Sequence, residues 1–118
     1  MKFSDLEQAN RLRLPHFKNR QGKPAHSQKN GHDWSIAEWT NAMAGEAGEA
    51  CNIAKKMIRG DYGDDVELGV GELMDEIADV VIYADLVCQR LNRRLETAVF
   101  NKFNEVSERV GSDIRLAP

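Results

Sequence analysis

Apolar residues recur every three or four positions through two long segments of the chain, as they do in amphipathic helices. In the segment 72–93 the spacings are 4, 3, 4, 3 and 4, formed by Leu73, Ile77, Val80, Ala84, Val87 and Leu91. In the segment 36–59 the same rhythm is formed by Trp39, Met43, Glu46, Ala50, Ile53 and Met57. No stretch alternates apolar and polar residues as a strand would. The pattern predicts an all-α fold, with these stripes as the seams of a helical bundle.

Capping residues and helix breakers set the expected ends of the first two helices. Ser4 is a suitable N-cap for a short helix at about 4–13, which has to end before Pro15. The capping box "SIAE" at 35–38 opens a longer helix that is expected to run to about Arg59. Between these helices, the sequence predicts a long polar loop or arm rich in basic residues.

The remaining sequence predicts two more helices and a simple domain organisation. The Gly/Asp-rich stretch 60–71 is expected to be a connector, and helices are expected at 72–93 and 95–110. The chain therefore divides into an N-terminal short helix with a basic arm, a helical domain and a loose tail, at 1–33, 34–111 and 112–118.

Two pairs of carboxylates, each three residues apart, lie on or beside the apolar seams. Glu46 occupies a seam position itself, with Glu49 one turn further along. Glu76 and Asp79 flank the seam of the later helix. Residues three apart share a helix face, so each pair points inward. The small residues of "AGEAGEACN" at 44–52 are expected to let the neighbouring helix approach closely, so that the four carboxylates converge.

Charge is distributed unevenly along the chain. The net charge is −3, yet residues 1–33 carry +4 and residues 44–85 carry −8. An acidic block of this kind is typical of a solvated face, a cation site or an acidic binding surface. The same block disfavours nucleic acid as a partner, although the basic arm alone would suit it.

Composition restricts the location of the protein. No stretch approaches the roughly 18–20 consecutive apolar residues of a membrane span, and the N-terminal "MKFSDLEQAN" lacks the apolar core of a signal peptide. Cys51 and Cys88 both fall in predicted helices and are interpreted as small buried residues rather than a disulfide. A cytoplasmic protein without membrane partners is expected.

Converging carboxylates call for a cation. A buried ionised carboxylate either takes up a proton or finds a positive partner, and the inward stripes contain no Lys or Arg. Because only oxygen ligands are present and the last three helices lack histidine, the ligand set suits Mg²⁺, with Mn²⁺ as a substitute. The Glu-x-x-His motif of di-iron bundles is missing. The connector resembles a calcium loop only weakly, since Gly63 and Val66 stand at positions where a ligand and a glycine are required.

Magnesium held by carboxylates usually keeps open positions for water and phosphate, which favours a nucleotide as substrate. Lys102 and Arg109 on the last helix are candidate phosphate contacts, although each, taken singly, is more typical of a solvated surface charge. The same applies to three cations of the arm, Arg20, Lys23 and Lys29. No Gly-rich P-loop is present, which excludes that class of nucleotide hydrolase.

Three segments together resemble the MazG-like all-α nucleoside triphosphate pyrophosphohydrolases. They are "GEAGEACNIAKK" at 45–56, "DEIADVVIYADLVCQRL" at 75–91 and "AVFNKFNEVSERVG" at 98–111. The resemblance covers roughly residues 34–111 and includes the ExxE and ExxD pairs on successive helices. Gly45 departs from the family pattern, because many members have a further glutamate there, and it leaves the number of metal ions open.

The resemblance implies a reaction and a set of site residues. Family members hydrolyse an NTP or dNTP to the monophosphate and pyrophosphate with Mg²⁺, and they are usually homodimers or homotetramers. The implied metal ligands and catalytic carboxylates are Glu46, Glu49, Glu76 and Asp79, with Glu49 as a candidate to orient or deprotonate the water. The candidate substrate-binding residues are Lys55, Tyr83, Lys102, Arg109 and Trp34.

Several alternatives stay open from the sequence alone. Trp34 could stack on a nucleobase, or it could act as a hydrophobic staple at the start of the capped helix. Tyr83 could line the nucleotide pocket or lie at the edge of the core. The carboxylates could also serve a non-catalytic helical module, in which they hold a structural ion or pair with the basic surface of a partner.

Overall fold

The computed structural model describes all 118 residues and contains four α-helices and no strand. The helices are α1 (Phe3–Arg13), α2 (Ile36–Arg59), α3 (Val66–Arg90) and α4 (Leu95–Arg109), with a 3₁₀ turn at Leu14–His16 after α1. The predicted all-α class is confirmed. None of the helices combines the length and the apolar character that crossing a membrane would require.

Helices α2 and α3 form a long antiparallel hairpin. The predicted capping box opens α2: the Ser35 hydroxyl accepts a hydrogen bond from Glu38 N at 3.2 Å, and the Glu38 carboxylate accepts one from Ser35 N at 2.7 Å. Gly60 ends α2 in the left-handed conformation, at φ 86°. Helix α3 starts close to this turn, so the hairpin connection is short.

The expected connector 60–71 is wrong in its second half, because α3 begins at Val66 instead of residue 72. The Asp65 side chain caps this helix by accepting a hydrogen bond from Leu68 N at 3.1 Å. Gly69, which made the segment look like a loop, is needed for packing: a Cβ there would lie 2.9 Å from Met57 Cγ. Helix α3 also ends earlier than expected, at Arg90, where Asn92 takes a positive φ of 54°.

The core is small and lies where α2 meets the C-terminal half of α3. Trp39 is fully buried, at 0% exposure, and packs with Leu86 and Val87. The predicted seam of α3 is only partly correct, since Ile77 and Leu91 are exposed. The buried face of α3 is centred on Leu86 and not on the predicted seam, because both α1 and α2 pack against α3.

The N-terminal segment is attached to this core. Asn10 Nδ2 donates to Asp85 Oδ2 at 2.8 Å, and Gln89 Nε2 donates to the Glu7 carbonyl at 3.0 Å, so α1 is held along α3. In the predicted loop, His26 stacks on Trp39 with ring centroids 5.0 Å apart. The arm therefore folds back over the hairpin.

Helix α4 and part of α3 leave apolar side chains uncovered. The accessible surface is 8652 Å², whereas a folded monomer of this mass exposes about 6,500 Å². The radius of gyration is 17.4 Å, against about 13.5 Å for a chain of this length. The exposed apolar residues on α4 and the following segment include Val99, Phe103, Val110, Ile114 and Leu116. The predicted loose tail has no regular structure, but Asn104 Oδ1 accepts a hydrogen bond from Leu116 N at 2.8 Å.

Candidate metal centre and adjoining pocket

Three carboxylates from two helices meet on one side of the α2–α3 hairpin. Glu46 comes from the middle of α2, and Glu76 and Asp79 lie one turn apart on α3. One oxygen atom from each carboxylate lies within 4.8 Å of the other two. All three residues are half-buried, so the cluster is partly desolvated and still open to solvent. We call Glu46, Glu76 and Asp79 the acidic triad.

Glu49, the fourth predicted ligand, lies outside this triad. It follows Glu46 by one turn of α2 and is exposed. Its negative charge nevertheless helps to raise the pKa of Glu46. Three of the four predicted carboxylates are thus brought together, with Glu49 at their edge.

Two of the small residues around Glu46, Gly45 and Gly48, do not serve the close helix approach that was expected of this segment. A Cβ added at Gly45 or at Gly48 would meet no atom within 4 Å. Both glycines are exposed to solvent. Open space at Gly45 means that packing does not close this position to a longer side chain.

The triad is not neutralised by the protein. The pKa of Glu46 is raised, first by partial burial, then by the hydrogen bond that it shares with Glu76 and by the negative charges of Asp79, Glu76 and Glu49. No Lys, Arg or His forms an ion pair with any of these four side chains. An uncompensated, oxygen-only cluster of this kind fits a hard divalent cation such as Mg²⁺ or Mn²⁺.

The other acidic group, in the turn between α2 and α3, is occupied by local structure. Asp61 pairs with Arg59 at 2.5 Å, Asp65 caps α3, and Glu72 accepts a hydrogen bond from the Tyr62 hydroxyl. This hydrogen bond raises the pKa of Tyr62 to about 12. The weak likeness to a calcium loop therefore has no counterpart in a group of converging ligands.

A cavity of about 230 Å³ opens directly beside the triad. Glu46 and Asp79 form one side of it, and Arg13 is the only Lys or Arg that lines it. The other lining residues are Asn10, Leu14, Phe17, His26, Ile82, Tyr83 and Leu86. The pocket thus combines two carboxylates with a mostly apolar and aromatic lining, and an apolar lining with a few polar groups is typical of small-molecule sites.

The aromatic wall is held by packing around His26. Its ring lies parallel to that of Trp39, with an interplanar angle of 8°, and its Nε2 lies 3.2 Å from the Tyr83 hydroxyl. Burial lowers the pKa of His26, as does the positive charge of Arg90. Burial raises the pKa of Tyr83, as do the charges of Glu46 and Asp79. Both side chains are therefore favoured in their neutral forms.

Trp34 lies outside the lining of this pocket. Its ring packs edge-on against Trp39, with centroids 5.1 Å apart, and it also contacts His26 at 4.9 Å. Because Ser35 is the N-cap, Trp34 and Trp39 are the two positions of a hydrophobic staple. Of the two roles that the sequence left open for Trp34, the structure therefore favours the staple.

The predicted cationic residues do not meet the triad within one chain. Lys55 follows Glu46 by nine residues and is exposed, so it lies on the opposite face of α2. Lys102 pairs with Glu105 at 3.2 Å and lines a separate apolar groove on α4. Arg109 is exposed at the end of α4. Among the predicted substrate contacts, only Tyr83 lines the pocket.

Four polar or aromatic residues of the pocket were not predicted from the sequence. Asn10 and Arg13 come from α1, and Phe17 and His26 come from the segment interpreted as an arm. The arm contains three histidines, and nothing in their spacing distinguishes His26 from His16 and His32. A polar Asn10 between apolar helix positions was the one available signal.

Comparison with protein-family models, with curated proteins and with solved structures found no match. The fold and the site define an all-helical protein with an acidic triad beside a small aromatic pocket. The resemblance to the MazG-like enzymes stays a prediction from the sequence motifs.

Proposed function

We propose that this protein is a Mg²⁺-dependent nucleotide pyrophosphohydrolase of the MazG-like type, which converts an NTP or dNTP into the monophosphate and pyrophosphate. The observation that carries the proposal is the pairing of an uncompensated acidic triad with the pocket next to it. A cation site alone would be ambiguous. A cation site beside a small aromatic pocket matches a substrate that has phosphates at one end and a flat ring at the other.

The triad would hold the metal through Glu46, Glu76 and Asp79. When bound, Mg²⁺ supplies a Lewis acid that neutralises phosphate charge and activates water. Arg13, which has no carboxylate partner and also lines the pocket, would contact the phosphates or the sugar. Water is added across the phosphoanhydride bond, so that pyrophosphate leaves and the monophosphate remains.

Glu49 is the carboxylate available as a general base. It lies one turn from Glu46, is exposed, and has no ion-pair partner. A carboxylate outside the metal site keeps its charge free to accept a proton from the attacking water. Phe17, His26 and Tyr83 provide the flat surfaces and the hydroxyl group against which the base of the nucleotide packs.

We further propose that the enzyme works in the cytoplasm as a homodimer or homotetramer. The large uncovered apolar surface of α3 and α4 supports self-association. Both cysteines are free, as expected in a reducing compartment. Association would also offer a second copy of Lys102 and Arg109 to neighbouring surfaces.

The test is pyrophosphate release from a panel of NTPs and dNTPs with Mg²⁺. We expect turnover of some nucleotides, its loss in EDTA, and its recovery on adding Mg²⁺ or Mn²⁺. Glu76→Gln should lower kcat by at least about 100-fold without loss of helicity, since it removes a metal ligand. Glu105→Gln, on the exposed face of α4, is the matched control and should keep full activity.

Lack of turnover of every nucleotide, with either metal, would contradict the proposal. If Mg²⁺ then still raised the melting temperature of the wild type and not that of Glu76→Gln, the alternative of a non-catalytic metal-binding module would replace it.

A further inference from the structure

Asn10 is a buried polar residue whose amide is only half used by the protein. The residue is 3% exposed, and its Nδ2 donates to Asp85 Oδ2 at 2.8 Å and to the Ile82 carbonyl at 3.2 Å. No group of the protein donates a hydrogen bond to its Oδ1. A buried amide with one unpaired end is unusual, because buried polar atoms are nearly always paired.

The orientation of this amide is fixed by its partners. A carboxylate and a backbone carbonyl accept hydrogen bonds only, so both must face the NH₂ group of Asn10. Asp85, itself 2% exposed, is held in place by a second hydrogen bond from Gln89 Nε2 at 2.8 Å. The amide therefore cannot flip without losing two hydrogen bonds, and Oδ1 stays a pure acceptor.

This acceptor belongs to the pocket beside the acidic triad. Asn10 lines that cavity, and its Oδ1 is not sealed off, since Arg90 Nε is the only side-chain atom both inaccessible and unpaired. The Ile82 carbonyl that anchors Asn10 lies three residues after Asp79 on α3, a rise of about 4.5 Å. Asn10 therefore lines the same cavity as Glu46 and Asp79.

We propose that Asn10 Oδ1 accepts a hydrogen bond from an exocyclic amino group of the substrate's base, so that the enzyme selects amino-bearing bases over their keto or unsubstituted analogues. The inference rests on the proposed nucleotide hydrolase function. A keto oxygen facing Oδ1 would place two acceptors together, and Asn10 has no free N–H to offer it. Discrimination follows because the wrong base leaves the buried acceptor unpaired.

The experiment compares kcat/KM for three pairs of nucleotides in which the first member has an exocyclic amino group that the second lacks: CTP and UTP, ATP and ITP, GTP and ITP. In the ring system that the enzyme prefers, we expect the amino member to be better by about tenfold or more. Equal values in all three pairs, or a preference for UTP and ITP, would overturn the inference. This comparison uses the wild type alone, so it does not depend on a variant that folds.

Two variants separate recognition from stability. Asn10→Ala should reduce the preference to within about twofold of unity, since it removes the acceptor. Gln89→Met removes the other hydrogen bond to Asp85 but does not line the pocket, and it should keep the wild-type ratio. A ratio is independent of the fraction of folded enzyme. An unchanged ratio in Asn10→Ala would overturn the assignment.

Binding of the product monophosphates distinguishes this inference from the proposed function. Titration calorimetry with CMP, UMP, AMP, GMP and IMP needs no hydrolysis. Preferential binding of the amino member, without turnover of any triphosphate, would support the role of Asn10 and contradict the hydrolase. Turnover with no preference within any pair would support the hydrolase and overturn the role of Asn10. Failure to bind any of the five would overturn the role of Asn10.

Discussion

Glu46 lies against two carboxylates of the next helix, and its raised pKa shows how unfavourable that position is without a counter-ion. A group of this kind destabilises the metal-free protein and favours the metal-bound one. The same residue therefore opposes folding in one state and supports it in the other. That sign change is a sharper test of a cation site than the loss of activity alone.

Glu46→Gln tests this sign change. Without metal, we expect the variant to be slightly more stable than the wild type, by a few tenths of a kcal/mol, because a repulsion is removed. With Mg²⁺ at about 100 times its Kd, the wild type should gain about 2.7 kcal/mol, and the variant much less. Chemical denaturation in EDTA and in Mg²⁺ measures both. A less stable variant in EDTA would mean that Glu46 has a structural partner instead.

His26 gives the fold a dependence on pH. Burial and Arg90 hold its pKa below the ordinary value of 6.5, and Asp33 opposes them only in part. Since the folded state disfavours the imidazolium, the contribution of His26 to stability is complete above about pH 6.5 and is lost as the pH falls through the lower folded pKa. Acidification should therefore loosen the arm from Trp39.

Melting temperatures between pH 7.5 and pH 5.5 check this expectation. The wild type should lose stability as the pH falls, and His26→Gln should lose less over the same range. His32→Gln is the matched control, since His32 is exposed in the same arm, and it should follow the wild type. Parallel curves for the wild type and His26→Gln would contradict the assignment.

The α2–α3 hairpin shows which elements the sequence predicts well. Ser35 and Glu38 form a local capping box, so the start of α2 is readable from four residues. The sequence misplaces the start of α3 because Gly69 resembles a loop signal. Glycine occupies this position because a larger side chain would collide with Met57. Local chemistry is visible in a sequence, whereas a glycine required by a neighbouring helix is not.

Alanine substitutions at two glycines of α3 separate the effect of packing from the effect of helix propensity. Gly69→Ala adds a methyl group 2.9 Å from Met57 Cγ and 3.0 Å from the Tyr62 ring, and overpacking of this kind costs about 1–3 kcal/mol. A gain in helix propensity of about 1 kcal/mol offsets part of that. We therefore expect a net loss of stability.

Gly71→Ala is the matched control, because a Cβ there meets nothing within 4 Å. It should stabilise α3 by about 0.5–1 kcal/mol. Urea denaturation of both variants measures the difference. Equal stabilisation by the two alanines would show that Gly69 is not held by packing.

In the candidate site, too, the residues placed by local helix spacing could be predicted and those placed by tertiary contacts could not. Glu46, Glu76 and Asp79 could be predicted, because spacing along two helices places them on facing sides. Asn10, Arg13 and the aromatic wall could not, since α1 and the arm reach the pocket only through tertiary contacts. The acidic triad was thus available from the sequence, and the part of the pocket proposed to select the base was not.

The whole molecule exposes more surface than a monomer of its mass is expected to. The excess over the expected value is about 2,200 Å², well above the roughly 800 Å² per partner of a standard protein interface. The uncovered apolar residues are most numerous on α3, and a second group lies on α4 and the segment that follows it. A groove lined by Val99, Phe103, Val106 and Ile114 runs along α4.

Phe103→Asp tests self-association through this groove. Phe103 is 42% exposed, and an aspartate there would place a charge in any interface that covers α4, at a cost of several kcal/mol. We expect the wild type to be a dimer or tetramer in light scattering after size exclusion, and Phe103→Asp to shift toward the monomer with unchanged helicity. Leu12→Asp, on the exposed face of α1, is the control and should keep the wild-type mass. A monomeric wild type at micromolar concentration would contradict association, and would leave the apolar face of α4 to a different partner.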